Sequence, residues 1–245
     1  MTVPPTHPRY ASLLLRERLV NAVEASVATP AGLIAHGRGE AFDYLLGERT
    51  HPFAEEAVRA AASLLLRARH PVLSVNGNVC ALAMDDVVDV AGACGADIEI
   101  NLFYWSSRRE AAIRSAFASR HPGVVVRGQE GGRIPGLASH RATVDPLGIG
   151  DADVVMTPLE DGDRAEALLA CGVQVIAIDL NPLSRTARAA TVTIVDNIVR
   201  ALPLLAREVV RQKREGTIDP TGYDNNSVLA SAEHTLRAGA VGPEE

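Results

Sequence analysis

The chain carries a single lysine, Lys213, in 245 residues. It lies in a charged stretch near the end that reads as a solvated helix face, so Schiff-base and lysyl-adenylate mechanisms are not expected. Cationic chemistry falls to arginine, which grips phosphate or carboxylate in a planar fork but does not serve as a proton donor or an amine nucleophile. Aromatics make up only 4% of the residues against 47% hydrophobic. The core is therefore built mainly from Ala, Val, Leu and Ile, which suits helix-on-sheet packing, and no flat aromatic binding surface is expected. Cysteine is sparse: Cys80, Cys94 and Cys171 are odd in number, lack CxxC spacing and sit in apolar contexts, the pattern of buried free thiols in a reducing cytosol. Charges interrupt every apolar run before it is long enough to span a bilayer, so a soluble, cytoplasmic protein with no membrane partner is expected. A formal charge of −6, with carboxylates interleaved among the arginines, argues against nucleic acid as a partner.

What is present alternates between two periodicities. Leu14, Leu15, Leu19, Val23 and Val27 fall on one face of a helix predicted from about Pro8 to Ala28. An Ala- and Leu-rich helix from Phe53 to Arg69 ends before Pro71 and feeds a strand, Val72 to Val75. Further strands are predicted at Ile98–Phe103, Val124–Arg127, Asp153–Met156, Val173–Ile178 and Val192–Val195, with helices at Ser107–Arg120 and Arg164–Cys171 and an irregular Gly-rich segment from Gly128 to Gly150. Short apolar runs spaced by helices imply an α/β fold with a doubly wound, mostly parallel sheet. A last helix is predicted in DNNSVLASAEHTLRAG, starting at Asn226 or Ser227 and ending at Gly239. No linker marks a boundary, so residues 1–245 are expected to form a single α/β domain with an N-terminal helical segment and a C-terminal helix.

In such sheets ligands bind beyond the carboxyl ends of the strands, so the residues after each strand carry the functional signal. After Val75 comes Asn76-Gly77-Asn78, a tight turn whose asparagines offer neutral donors and acceptors, or simply a turn. Upstream, Gly37 and Gly39 flank Arg38 before an apolar stretch. That arrangement suits an anion at a helix N-terminus with Arg38 reaching it, although GxG alone is weak. His36 beside it reads equally as an acid–base group or an ordinary hydrogen-bonded histidine. Glu160, Asp161 and Asp163 follow another strand, placed to hold Mg²⁺ or receive an amine, or to cap the next helix. At the end of Val175–Ile178, Asp179 is placed for a ribose hydroxyl, and Arg185, Thr186 and Arg188 for phosphate. A polar turn closing a strand explains the same residues. GxGxxG and GxxxxGK[ST] elements are missing, which excludes a P-loop enzyme.

Taken together, HPRYASLLLRE, GLIAHGRGEAFDYLLGE, PVLSVNGN, INLFY, ADVVMTPLEDGDRAEAL and VIAIDLNPLSRTARAATVTIVDN resemble the archaeal phosphopantothenate synthetase (4-phosphopantoate–β-alanine ligase) family, in order over roughly residues 7 to 212. The resemblance implies a homodimeric, Rossmann-like ligase of coenzyme A biosynthesis. Such an enzyme uses ATP and Mg²⁺ to activate 4-phosphopantoate as an adenylate, condenses it with β-alanine, and releases AMP and diphosphate. By matching motif, it places ATP contacts at Arg16, Arg38, Asp179, Leu180, Asn181, Arg185, Thr186, Asn197 and Ile198. His36, Arg38 and Glu160 are the candidates for catalysis, and Asn76 and Asn78 for orienting phosphopantoate or β-alanine. One departure stands out: Trp105 and Ser106 occupy positions where the family pattern leads us to expect Arg-Thr. If the missing arginine contacts phosphopantoate, Arg108, Arg109 or another basic residue must replace it. Two rival readings share the fold: a nicotinamide-dependent oxidoreductase, whose fingerprint is lacking, and a nucleotide-sensing module, which needs no second substrate site.

Overall fold

Strands buried on both faces read as continuous apolar runs rather than alternating ones. That is why β1 (Pro71–Val75, sequence PVLSV) and β6 (Val154–Pro158, VVMTP), buried at every position, sit in the middle of the sheet. The computed structural model describes residues 4–128, 130–217 and 219–239. Its main sheet is six-stranded and parallel, in the order β3 (Val126–Arg127), β2 (Asp97–Ile100), β1, β6, β7 (Gln174–Ile178), β8 (Val192–Ile194). The order reverses between β1 and β6, which pair in register through Leu73 and Met156. A crevice is expected beyond the strand ends at that reversal. The Gly-rich segment supplies a small antiparallel pair, β4 (Gly132–Arg133) with β5 (Thr143–Val144).

Successive side chains of each strand enter different cores. Leu73, Val75, Met156, Ile176 and Ile178 join the larger apolar cluster with α3 (Pro52–Arg67), α4 (Gly77–Cys94) and α8 (Ile198–Glu215). Val72, Val155, Val175 and Ala177 join a second cluster with Ala165 and Leu168 of α6 (Gly162–Ala170) and Ile134, Val144 and Ile149 of the Gly-rich segment. The chain is thus the doubly wound Rossmann-like α/β fold that its sequence predicts, with helices on both faces. Burying each such Leu, Ile or Val contributes about 1.5–3 kcal/mol, so the two clusters outweigh any single polar contact.

The differences from the predicted elements are instructive. The helix expected from Pro8 to Ala28 is shorter, α1 (Tyr10–Glu24). Ser26 adopts a left-handed φ of 62°, and α2 (Pro30–Leu45) starts afresh with Pro30 in its first turn and the Thr29 hydroxyl accepting the Gly32 N–H at 3.1 Å. Gly37, Arg38 and Gly39 therefore lie inside α2 and not at a helix N-terminus, which removes the backbone anion site read from them. Asn76-Gly77-Asn78 is not an isolated turn either. The Asn76 side chain accepts the N–H groups of Asn78 and Val79 at 3.0 and 3.1 Å and caps α4, an 18-residue helix. The helix α5 (Ser107–Arg120) falls where expected, while the segment expected as a strand at Ile98–Phe103 turns away from the sheet after Ile100. The C-terminal helix α9 (Asn225–Ala238) is capped by Asp224, two or three residues before the expected start. A short helix, α7 (Arg185–Ala189), completes the set.

Candidate functional site

A cavity of about 400 Å³ opens at the reversal, between the ends of β1 and β2 on one side and β6, β7 and β8 on the other. This is the size of a small-molecule site. An adjoining cavity of about 450 Å³ shares Arg38, Phe103, Glu160, Asp161, Asp179 and Asn181 with it and continues over Arg185 and Thr186.

On the β7–β8 side stand Asp179, Leu180, Asn181, Asn197 and Ile198, faced by Arg38 from α2. Both Asp179 oxygens shape the turn: one accepts the Asn181 N–H at 2.9 Å, the other the Ser184 hydroxyl. Burial pushes the Asp179 carboxyl above its ordinary range, against the pull of those bonds and of Arg38. Asn197 caps α8 and donates through Nδ2 to Asp43 at 2.7 Å. Asp43 is the one buried residue of α2 and also accepts from Arg200, which in turn holds Asp196. A buried charge relay thus fixes Asn197 from behind. Thr186 is turned to the protein, donating to the Glu160 carbonyl at 2.8 Å. The close approach needs Gly162, where a Cβ would stand 2.4 Å from Arg185 Cβ. Arg185 itself is exposed and paired with Glu166 at 2.6 Å.

On the β1–β2 side are Asn76, Asn78, Asn101, Tyr104 and Arg109. The Asn76 amide donates to the Leu159 carbonyl at 3.0 Å, tying the exit of β1 to that of β6 across the reversal. Asn78 donates to the Gly32 carbonyl at 2.9 Å and so holds the start of α2. Leu159 borders the same cavity with a left-handed φ of 54°, a conformation bulky residues adopt only where the surroundings impose it.

His36 lines the cavity from α2, and its Nε2 is buried with no partner among the described residues. Burial lowers its pKa; Glu40 pulls the other way and Arg16 adds to the lowering. The imidazole is accordingly neutral near pH 7 and able to accept a proton. Glu160 stands between the two cavities. Its own burial raises its carboxyl above the ordinary range, and Arg164 and Arg141, each at 3.9 Å, restrain that rise.

Ten of the expected residues are thus brought to one cavity: His36, Arg38, Asn76, Asn78, Glu160, Asp179, Leu180, Asn181, Asn197 and Ile198. Arg185 and Thr186 border the adjoining one. Arg16 lines neither; its Nε donates to Glu40 at 2.7 Å, and Glu40 is the side chain that faces the cavity. Trp105 stacks on His140 with ring centroids 4.6 Å apart and donates to Glu110 at 2.8 Å, while Ser106 caps α5 by accepting the Arg109 N–H.

Several contributors were given no role by the sequence reading, which noted Arg164 only as standing beside Glu160, Asp161 and Asp163. Arg141, from the Gly-rich segment, pairs with Asp163 and Asp161 and lies over the Phe103 ring at 4.3 Å. Arg164, almost fully buried, donates to Asn101 and to the Arg141 carbonyl at 2.6 Å. Beneath them Glu99, fully buried, accepts from Ile149 N–H at 2.7 Å, Asp145 N–H at 3.2 Å and Asn101 at 3.3 Å. Burial raises its pKa to about 7 despite these bonds and Arg164. The one available signal was an acid and an amide, Glu99 and Asn101, interrupting an apolar strand run.

Comparison of the sequence with known proteins gives its family. A family model described as phosphopantothenate/pantothenate synthetase covers residues 53–239. The chain is 50% identical over 235 residues to the 4-phosphopantoate–β-alanine ligase of Thermococcus kodakarensis, spanning 94% of this chain and 90% of that one. It is 52% identical over 232 residues to the ligase of the same name from Thermococcus onnurineus (93% and 89%). With that of Methanosarcina mazei it shares 46% over 234 residues (94% and 92%).

Proposed function

Because the chain belongs to the phosphopantothenate/pantothenate synthetase family, we propose that it condenses 4-phosphopantoate with β-alanine at the expense of ATP, giving 4′-phosphopantothenate, AMP and diphosphate. The observation that carries this reading is the cavity at the strand-order reversal, where a wall suited to a nucleotide faces a wall suited to a second, polar substrate. A simple nucleotide sensor gives no account of the second wall, and an oxidoreductase would need the dinucleotide fingerprint that the sequence lacks.

A carboxylate is too electron-rich to accept an amine. Its oxygen first attacks the α-phosphorus of ATP, diphosphate leaves, and the resulting mixed anhydride carries AMP as its leaving group. The amine nitrogen then attacks the acyl carbon, AMP departs, and the ammonium proton must be removed. Asn181 and the cap of α8 at Asn197 suit the nucleoside end, and Arg38, free of salt bridges among the described residues, suits the phosphates. Arg185 would reach the phosphates only by leaving Glu166, and Arg16 acts through Glu40. His36, neutral and with an unused ring nitrogen, fits the proton acceptor, and Glu160 fits the group that receives the incoming ammonium. Among the described residues no three His, Cys, Asp or Glu side chains cluster as a metal site. Mg²⁺ would therefore be held mainly by phosphate oxygens and water, with Asp161 as the protein carboxylate, and would offset triphosphate charge.

The acidic composition and the phosphorylated reactants fit a cytoplasmic enzyme, and among the described residues no helix is long and apolar enough to cross a membrane. Ile34, Tyr44 and Leu45 on α2 and Val20 on α1 are exposed apolar side chains that a second copy would cover, in keeping with a homodimer. Incubation with ATP, Mg²⁺, phosphopantoate and β-alanine should yield AMP and phosphopantothenate, and Arg38→Ala should raise the KM for ATP at least tenfold. Absence of AMP from the wild-type reaction would discard the ligase reading.

A further inference from the structure

We propose that Trp105 is a positioning residue that keeps water from the activated acid: stacked on His140, it fastens the Phe103 ring at the junction of the two cavities. The inference rests on the ligase reading above.

Six residues border both cavities: Arg38, Phe103, Glu160, Asp161, Asp179 and Asn181. Five of them are charged or polar. Phe103 is the one apolar side chain where acyl group, amine and phosphates have to meet. Its segment leaves the sheet after Ile100 and is tied along its backbone: the Asn101 N–H donates to the Val75 carbonyl at 2.8 Å, Arg109 donates to the Tyr104 carbonyl, and Ser106 caps α5. Two ring contacts then join it to the 3-10 turn Ser139–Ala142. Arg141 lies over the Phe103 ring at 4.3 Å, and the Trp105 and His140 rings stack with centroids 4.6 Å apart and planes 11° from parallel.

Both halves of this clasp are braced from behind. The indole Nε1 donates to Glu110 at 2.8 Å, and Glu110 accepts from Arg114 at 3.0 and 2.9 Å, so the ring is held against α5 with a face turned to His140. On the other side Arg141 pairs with Asp163, and its carbonyl accepts from the buried Arg164 at 2.6 Å. Between the braces Phe103 and Tyr104 are half exposed, edge to face at 4.6 Å, and both line the main cavity. Loss of the Trp105 stack removes one of the two ring contacts that keep this apolar cover in place.

The chemistry needs such a cover. A mixed anhydride is open to any nucleophile. If a water oxygen attacks its acyl carbon, AMP leaves, both water protons pass to solvent, and the acid is regenerated with ATP consumed and no product formed. Excluding water suppresses that side reaction, and a hydrocarbon ring excludes it without competing for ammonium or phosphate.

Two measurements test this. AMP and phosphopantothenate are counted side by side at β-alanine below its KM. Loss of an aromatic pair shifts an equilibrium by about two- to tenfold, so Trp105→Ala should raise the AMP formed in excess of product by about that factor. Trp105→Phe, which keeps a ring to stack, should restore part of the coupling, and His140→Ala should uncouple as Trp105→Ala does, which covers the case that the latter does not fold. A purely structural role lowers both products together; an unaltered ratio in the variants would overturn the proposal and leave the ligase reading standing. Absence of AMP from wild type would defeat the ligase reading and this proposal with it. The second measurement uses the free protein, in which Trp105 is the one tryptophan. His140→Ala should raise the acrylamide quenching constant of its emission, and an unchanged constant would show that the rings do not stack in solution and overturn the proposal whatever the assay gives.

Discussion

Replacing Glu99 by glutamine should flatten the pH dependence of stability. In the folded chain this carboxyl, fully buried beneath Asn101 and Arg164, has its pKa raised by burial from the ordinary 4.5 to about 7. The folded state therefore holds the proton more tightly than the unfolded state does. The stabilisation is complete below pH 4.5 and is lost as pH rises through about 7. At 1.36 kcal/mol per pH unit that interval corresponds to about 3 kcal/mol. Glutamine keeps one acceptor where the acid has two, so one of the Ile149 and Asp145 N–H bonds is lost at a pH-independent cost of about 1–3 kcal/mol. Urea unfolding midpoints of wild type and variant across pH 4.5 to 8.5 separate the two effects. The variant should be less stable at pH 4.5 and should gain about 3 kcal/mol relative to wild type by pH 8.5. A difference that stays constant over the range would refute a raised pKa, and one of opposite slope would mean that Arg164 and the backbone donors hold Glu99 ionised.

Asp43→Asn should destabilise the fold by about 2–3 kcal/mol in denaturant titrations, since it unpairs part of a buried relay while Asp196 still holds Arg200. It should also raise the KM for ATP by loosening Asn197, whereas a stability loss without a KM change would uncouple the relay from the site. For the proposed homodimer, wild type should sediment as two copies at micromolar concentration and Tyr44→Glu as one; a single-copy wild type would remove the dimer, and an unaltered two-copy mass in the variant would place the interface elsewhere.

The sheet was legible because parallel, doubly covered strands leave unbroken apolar runs such as Val72–Val75 and Val175–Ile178, and the loops behind them follow from the architecture. Helix starts were harder. Asn76-Gly77-Asn78 has turn chemistry, and the fact that Asn76 bonds forward to start a helix shows only in three dimensions. Gly37 and Gly39 look like a loop, yet packing and the Thr29 cap carry α2 through them. The charge network was the least visible part: Asp43 meets Arg200 and Asn101 meets Arg164 over separations of 157 and 63 residues. Local pattern holds no information about such pairs. Arg109 was nameable only as a substitute for a missing arginine, and its hold on the Tyr104 and Val27 carbonyls is a property of the folded chain.

The wall that carries His36, Arg38 and Glu40 is fastened at three points: Asn78 grips the Gly32 carbonyl near one end, Asp43 anchors the other in the relay to α8, and Glu40 is held between the two ends by Arg9 and Arg16. Between them Gly37 and Gly39 each weaken the helical span by about 1 kcal/mol relative to alanine. The span is therefore weakest in helical propensity at the stretch around Arg38. Under the proposed ligase reading, adjustment to the phosphates of a nucleotide would fall on the stretch that bears Arg38, with the anchorages around it staying put.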